Sequence, residues 1–234
     1  MIHQKRVSAR AYTATATLGG WNAISRRAAL LLIGTLLCGA LSSGVSAQTI
    51  TVTLLGTGSP QLIPERFGPS ILVAAGGEKL LFDVGRGATI RLWQAGVSLR
   101  DVTAVFFTHL HSDHVTGFPD LWLTGMLPPK TFANRTERMY VYGPIGTRAM
   151  MAHLALAYEA DVRIRQADEH TSREGALIAA LDIKPAFGYR IDYGGHSVVL
   201  SGDTRPSENL IRVAMGTDVL FQKVAAAVPA LLER

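Results

Sequence analysis

The sequence predicts an α/β layered domain, with sheets covered by helices. Three observations carry that expectation. Short runs rich in β-branched and aromatic residues are bounded by glycine-containing turns, as at 50–55, 70–75, 79–83 and 188–201. Between them lie stretches with apolar residues at helical spacing, such as 88–95 and 147–158. The two kinds of segment alternate in two batches along 234 residues, and the 48% hydrophobic content supports one sizeable core.

The first 47 residues read as a targeting segment rather than part of that core. Arg26-Arg27 precede an uncharged apolar run of 14 residues, Ala28 to Leu41, and small residues follow up to Ala47. This is the pattern of a cleaved secretory signal peptide, and Ser25-Arg26-Arg27 suits a twin-arginine signal. The run is short for a bilayer span of about 20 residues, so no stable membrane span is expected after cleavage. The predicted location is periplasmic or secreted, with the domain proper at 48–234. The leader holds five basic residues and no acid, so the formal charge of +5 belongs to it, and 18 Lys and Arg balance 18 Asp and Glu beyond it. That neutrality argues against a globally basic nucleic-acid binder. The single cysteine, Cys38, lies within the leader, so any metal in the domain must be held by nitrogen and oxygen.

Ile50 to Leu55 alternates as a strand and runs into Gly56-Thr57-Gly58-Ser59-Pro60, a tight turn lacking the spacing of a phosphate loop. Ser70–Ala75 and Lys79–Asp83 flank Gly76-Gly77 as a β-hairpin. Ala88–Ala95 is a short helix stopped by Gly96. Val102–Phe107 is a buried strand by its content. Phe118–Leu127 begins a helix with Pro119 in its first turn. Met139–Tyr142 is a strand and Thr147–Tyr158 a helix. Residues 159–175 are polar and read as exposed loop or edge. Gly188–Tyr193 and His196–Ser201 form a second hairpin across Gly194-Gly195. A helix from Pro206 to Ala214, a strand from Asp218 to Phe221 and an apolar helix from Ala225 to Leu232 complete the chain.

The chemistry concentrates directly after the Val102 strand, in Thr108-His109-Leu110-His111-Ser112-Asp113-His114. Three histidines and an aspartate prefer water unless paired, so their clustering at a strand exit points to metal ligation. Imidazole and carboxylate are ordinary zinc ligands. His109 and His111, two apart, point the same way on an extended segment, while Asp113 and His114 lie past the bend and can face a second ion. Asp203 follows Gly202 at the exit of another strand and offers a carboxylate able to bridge two metals about 3.5–4 Å apart.

His109-Leu110-His111-Ser112-Asp113-His114 resembles the signature of the metallo-β-lactamase superfamily. Leu54 to Pro60, Phe82-Asp83-Val84-Gly85 and Ser201-Gly202-Asp203-Thr204-Arg205 resemble flanking motifs of its ribonuclease Z and arylsulfatase-like branch. Asp120 to Gly125 and Lys184 to Arg190 are most like secreted arylsulfatase-like members. The resemblance spans residues 50 to about 225. It implies an αβ/βα sandwich with the site at the edge between the sheets, here shortened in its C-terminal half. It also implies two Zn²⁺ ions, with His109 and His111 on the first and Asp113 and His114 on the second. Asp203 would bridge them, Asp113 would accept the proton, and Asp83 would orient a ligand histidine.

The chain departs from the family in lacking further histidines. Residues 174–183, where one is expected, contain none, and none follows His196. Gln222-Lys223 stand where relatives carry a His-Glu pair. His170 and His196 read as solvated loop and turn histidines. The expectation is an exported zinc-dependent hydrolase that cleaves sulfate or phosphate esters with a metal-bound hydroxide. Its partner would be a small-molecule ester, with nucleic acid disfavoured and a homodimer left open. The alternatives are a ribonuclease Z-type endoribonuclease and a shortened, catalytically impaired metal-binding relative.

Overall fold

A computed structural model describes residues 48–128, 133–183, 188–205 and 207–223. Six strands form the larger sheet in chain order: β1 (Ile50–Gly56), β2 (Ser70–Ala75), β3 (Glu78–Phe82), β4 (Ala104–Phe106), β5 (Met139–Gly143) and β6 (Ile178–Asp182). The first three pair antiparallel, while β3 to β6 run parallel. A second sheet holds β7 (Tyr189–Tyr193), β8 (His196–Leu200) and β9 (Val219–Phe221). The helices are α1 (Ala88–Gln94), α2 (Ser112–Val115), α3 (Phe118–Gly125), α4 (Thr147–Ala157), α5 (Glu159–Asp168) and α6 (Glu208–Ala214).

Strand alternation divides the core in two. Successive side chains point to opposite faces of a sheet, so each strand of the larger sheet feeds both sides. Leu72, Leu81, Val105 and Val141 pack with Leu92, Phe118, Leu121, Trp122 and Met151 on the helix side. Val73, Phe82, Ala104 and Phe106 pack with Tyr189, Ile191, Val198 and Leu200 of the second sheet. The helices therefore cover one face of the larger sheet and the smaller sheet covers the other.

The parallel register builds an aromatic ladder at the ends of three strands. Phe82 pairs with Phe106 and Phe106 with Tyr142. Their rings stack at 5.0 Å, with 18° between planes, at both steps. Tyr189 meets Phe106 edge-on at 5.4 Å, and its hydroxyl donates to the Phe107 carbonyl at 2.6 Å. Such ring pairs contribute about 0.5–1.5 kcal/mol each beyond area burial. The ladder fixes the exits of β3 and β4 side by side, which is where Asp83 and Thr108 begin.

Two elements differ from the sequence expectation. Residues 159–168 form α5 rather than loop; no residue of it is buried, so it carries no apolar stripe to read. Spaced ion pairs run along it, Arg163–Glu159, Arg165–Asp161 and Arg165–Glu169. Strand β6 was not expected either. Its Ile-Ala-Ala-Leu-Asp run is only partly buried, and its pairing with β5 is non-local. The leader at 1–47, the Lys184 to Phe187 part of a motif and the final helix expected at 225–232 lie outside the described residues. Among the described residues no helix is long and apolar enough to cross a membrane.

Candidate metal centre

Four backbone segments converge under the histidine loop, and glycines let them meet. A Cβ on Gly85 would lie 2.4 Å from the Gly68 carbonyl carbon and 2.6 Å from the Asp113 oxygen. One on Gly117 would lie 2.3 Å from the Gly85 oxygen, and one on Gly56 would overlap the Gly68 oxygen at 1.8 Å. The contacts are hydrogen-bonded. Val84 N donates to His114 O at 2.7 Å, Gly117 N to Val84 O at 2.9 Å and Gly85 N to Pro69 O at 2.9 Å. The turn at 56–60 thus serves close backbone approach, with Thr57 N and Gly58 N donating to the carbonyls of Arg66 and Phe67.

Asp83 is the hub of the site. It sits at the exit of β3 with a left-handed backbone, φ 57°, and is buried. Its Oδ1 accepts from the Thr108 backbone N–H at 2.8 Å. Its Oδ2 accepts from the Thr108 hydroxyl at 2.8 Å and from His114 Nδ1 at 2.7 Å. A carboxylate only accepts, so His114 carries its proton on Nδ1 and presents a lone pair at Nε2. Thr108 spends its one hydroxyl proton on Asp83, so it accepts from His109 Nδ1 at 3.0 Å. His109 Nε2 is then also an acceptor, and His111 Nδ1 donates to it at 2.9 Å. The His109 imidazole is held below the usual pKa, mainly by burial and then by His114, which favours the neutral form a metal requires.

Each sequence-derived candidate has a definite place. His109 is half-buried on the loop. His111 is exposed at the N-cap position of α2 without a capping side-chain bond, while Asp113 and His114 are buried within α2. The turn into α2 folds His114 back beneath His109, with ring centroids 4.1 Å apart. Asp203 follows β8 and brings Oδ1 to 3.7 Å from His114 Nε2; Asp113 Oδ2 lies 3.7 Å from the same nitrogen. His109, His114 and Asp203 each offer one ligand atom, all within 4.8 Å of one another. His111 also stays beside His109, with ring nitrogens 2.9 Å apart, and the α2 turn adds His114 to the same corner. His170 and His196 are exposed. The nitrogen and oxygen donors fit one divalent ion at His109, His114 and Asp203, with Asp113 beside it.

Sequence reasoning gave Lys223 no role. Its Nζ donates to Asp203 Oδ2 at 3.0 Å and lies 3.1 Å from His114 Nε2. Its place comes from the folded sheet: β8 and β9 are parallel, with Leu200 opposite Phe221, so Asp203 and Lys223 leave the sheet at the same end.

The class follows from comparison with solved structures. Human tRNase Z, short form, superposes with a TM-score of 0.56 at 21% identity, covering 74% of this chain and 76% of that one. The metallo-β-lactamase fold protein YhfI from Bacillus subtilis gives 0.54 at 18% identity, covering 73% and 70%. The fold is therefore that of the metallo-β-lactamase superfamily. A family profile described as "Anti-Pycsar protein Apyc1" matches residues 50–145. Ribonuclease Z from Mycolicibacterium paratuberculosis is 38% identical over 198 residues, covering 75% of this chain and 70% of the relative. Ribonuclease Z from Mycobacterium bovis is 36% identical over the same length. The chain belongs to the ribonuclease Z-like branch of the metallo-β-lactamase superfamily, a family of metal-dependent hydrolases acting on ester bonds.

These relatives correct two expectations. Nucleic acid was disfavoured as a partner because charge beyond the leader is balanced. The relatives are named for cutting RNA, and balanced total charge does not preclude a local RNA-binding surface. The expected periplasmic or secreted location is corrected by the same finding: the relatives are ribonuclease Z enzymes, which gives no support to export. The leader-like composition that suggested export lies outside the described residues.

Proposed function

We propose that this protein is a metal-dependent phosphodiesterase that cleaves RNA in the manner of ribonuclease Z. The observation that carries the reading is the His109–His114–Asp203 cluster at the strand exits of a chain 38% identical to a ribonuclease Z. The RNA phosphodiester alternative is preferred to the expected small-molecule sulfate or phosphate ester, because the relatives at this level carry the ribonuclease Z name.

His109, His114 and Asp203 would hold the metal, and zinc suits their nitrogen and oxygen donors. When bound, the ion would supply Lewis-acid activation of water and phosphoryl oxygen. Asp83 orients His114 by accepting its Nδ1 proton, and Thr108 passes the same constraint to His109. Without metal His111 Nδ1 donates to His109 Nε2, a bond that would give way when His109 ligates, with His111 staying beside the ion on the exposed side of the loop. Asp113 is the buried carboxylate next to His114 and is assigned as proton acceptor, a role requiring hydrogen-bond reach of the attacking water. Residues 48–234 would form the hydrolase domain.

The test is incubation of the zinc-loaded protein with a precursor tRNA, an aryl sulfate and a chromogenic phosphodiester in parallel. Endonucleolytic cleavage of the RNA is expected, and its loss in Asp113→Asn. Hydrolysis of the aryl sulfate with intact RNA would overturn the proposal.

A further inference from the structure

Lys223 places a cation inside the ligand cluster. It lies two residues past the end of β9, and its ammonium reaches His114 Nε2 at 3.1 Å and Asp203 Oδ2 at 3.0 Å. His114 gives its Nδ1 proton to Asp83, so Nε2 is its only lone pair, and an ammonium only donates. Lys223 therefore takes the lone pair that a metal on His114 would need, and one Asp203 oxygen as well. Three carboxylates, Asp83, Asp113 and Asp203, lie within 3.7 Å of a His114 ring nitrogen. Buried carboxylates require a compensating positive charge, and Lys223 supplies one. The lysine side chain is 32% exposed, so its path out to solvent is open.

We propose that Lys223 is an internal substitute for the metal, balancing the site when no ion is bound and displaced when one arrives. The inference rests on the metal-centre reading given above. Metal loading is then a competition, and apparent affinity is the intrinsic affinity multiplied by the fraction of molecules in which Lys223 has withdrawn. If the lysine occupies the site about 90% of the time, the loss is about tenfold.

The experiment measures zinc affinity and stoichiometry by competition with a chromogenic chelator, with no substrate present. Lys223→Met and Lys223→Gln both remove the cation, and melting of the metal-free proteins checks that each folds. Both are expected to bind zinc about tenfold more tightly than the natural chain, whereas Lys223→Arg stays close to it. Equal affinity in the natural chain and both neutral variants would overturn the role of Lys223 and leave the metal centre standing. Absence of zinc binding from every variant would overturn both.

Discussion

Replacing Asp83 by asparagine keeps the shape of the buried side chain and changes what it can accept. The backbone there has φ 57°, a conformation asparagine tolerates, so no strain is added. Alanine would add about 1–2 kcal/mol of strain and leave three donors unsatisfied, confounding the result. In Asp83→Asn the amide oxygen can still accept from Thr108 N, now 2.8 Å from Oδ1, while the amide nitrogen faces His114 Nδ1 in place of Oδ2 at 2.7 Å. Two donors cannot face each other, so the imidazole must move its proton to Nε2, the atom meant for the metal. Oδ2 also accepts from the Thr108 hydroxyl, so two charge-assisted hydrogen bonds are disturbed, at about 1.5–3 kcal/mol of stability each. Removing such an outer partner of a ligand histidine should weaken metal binding by about 10–100-fold. Chelator competition reads the second effect and urea denaturation the first. Zinc binding as tight as in the natural chain, in a folded Asp83→Asn protein, would refute the assignment of the His114 tautomer.

Gly85→Ala forces a methyl group into backbone at 2.4 and 2.6 Å and should cost about 3 kcal/mol or more, while Gly77→Ala, with nothing within 4 Å, should be close to neutral by denaturant titration. Tyr189→Phe removes the hydroxyl that bonds Phe107 across the two sheets and should lower stability by about 1–2 kcal/mol. The Tyr189 phenol is pushed above its ordinary value of 10.0, by burial first and by Asp83 second. A raised acid pKa contributes stability fully present below pH 10.0, lost as pH climbs towards the folded-state value. The natural chain should therefore lose more of its melting temperature than Tyr189→Phe above that pH; parallel curves would contradict this.

The sequence made the ligand loop, both hairpins, most helices and the position of Asp203 readable, because each has a local signal. Polar residues stand at strand exits, glycines mark turns, and apolar spacing separates strand from helix. Helix α5 had no apolar face to betray it, and short, half-exposed β6 is defined mainly by its neighbour. The convergence of Gly56, Gly68, Gly85 and Gly117 links positions far apart in sequence, so no window contains it. Lys223 was visible only as a departure from a family pattern. Its contacts with His114 and Asp203 follow from the parallel register of β8 with β9, which is a property of the folded sheet.

His109 and His114 hang from the larger sheet, whereas Asp203 and Lys223 hang from the smaller one. The site is thus a seam between two layers held together elsewhere by apolar packing and by the Tyr189 hydroxyl. Sliding one layer over the other by the length of a bond would scatter the donors. Docking of the layers and assembly of the ligand set are one equilibrium, and a cation at the seam, whether ammonium or metal, works as a rivet through both plates.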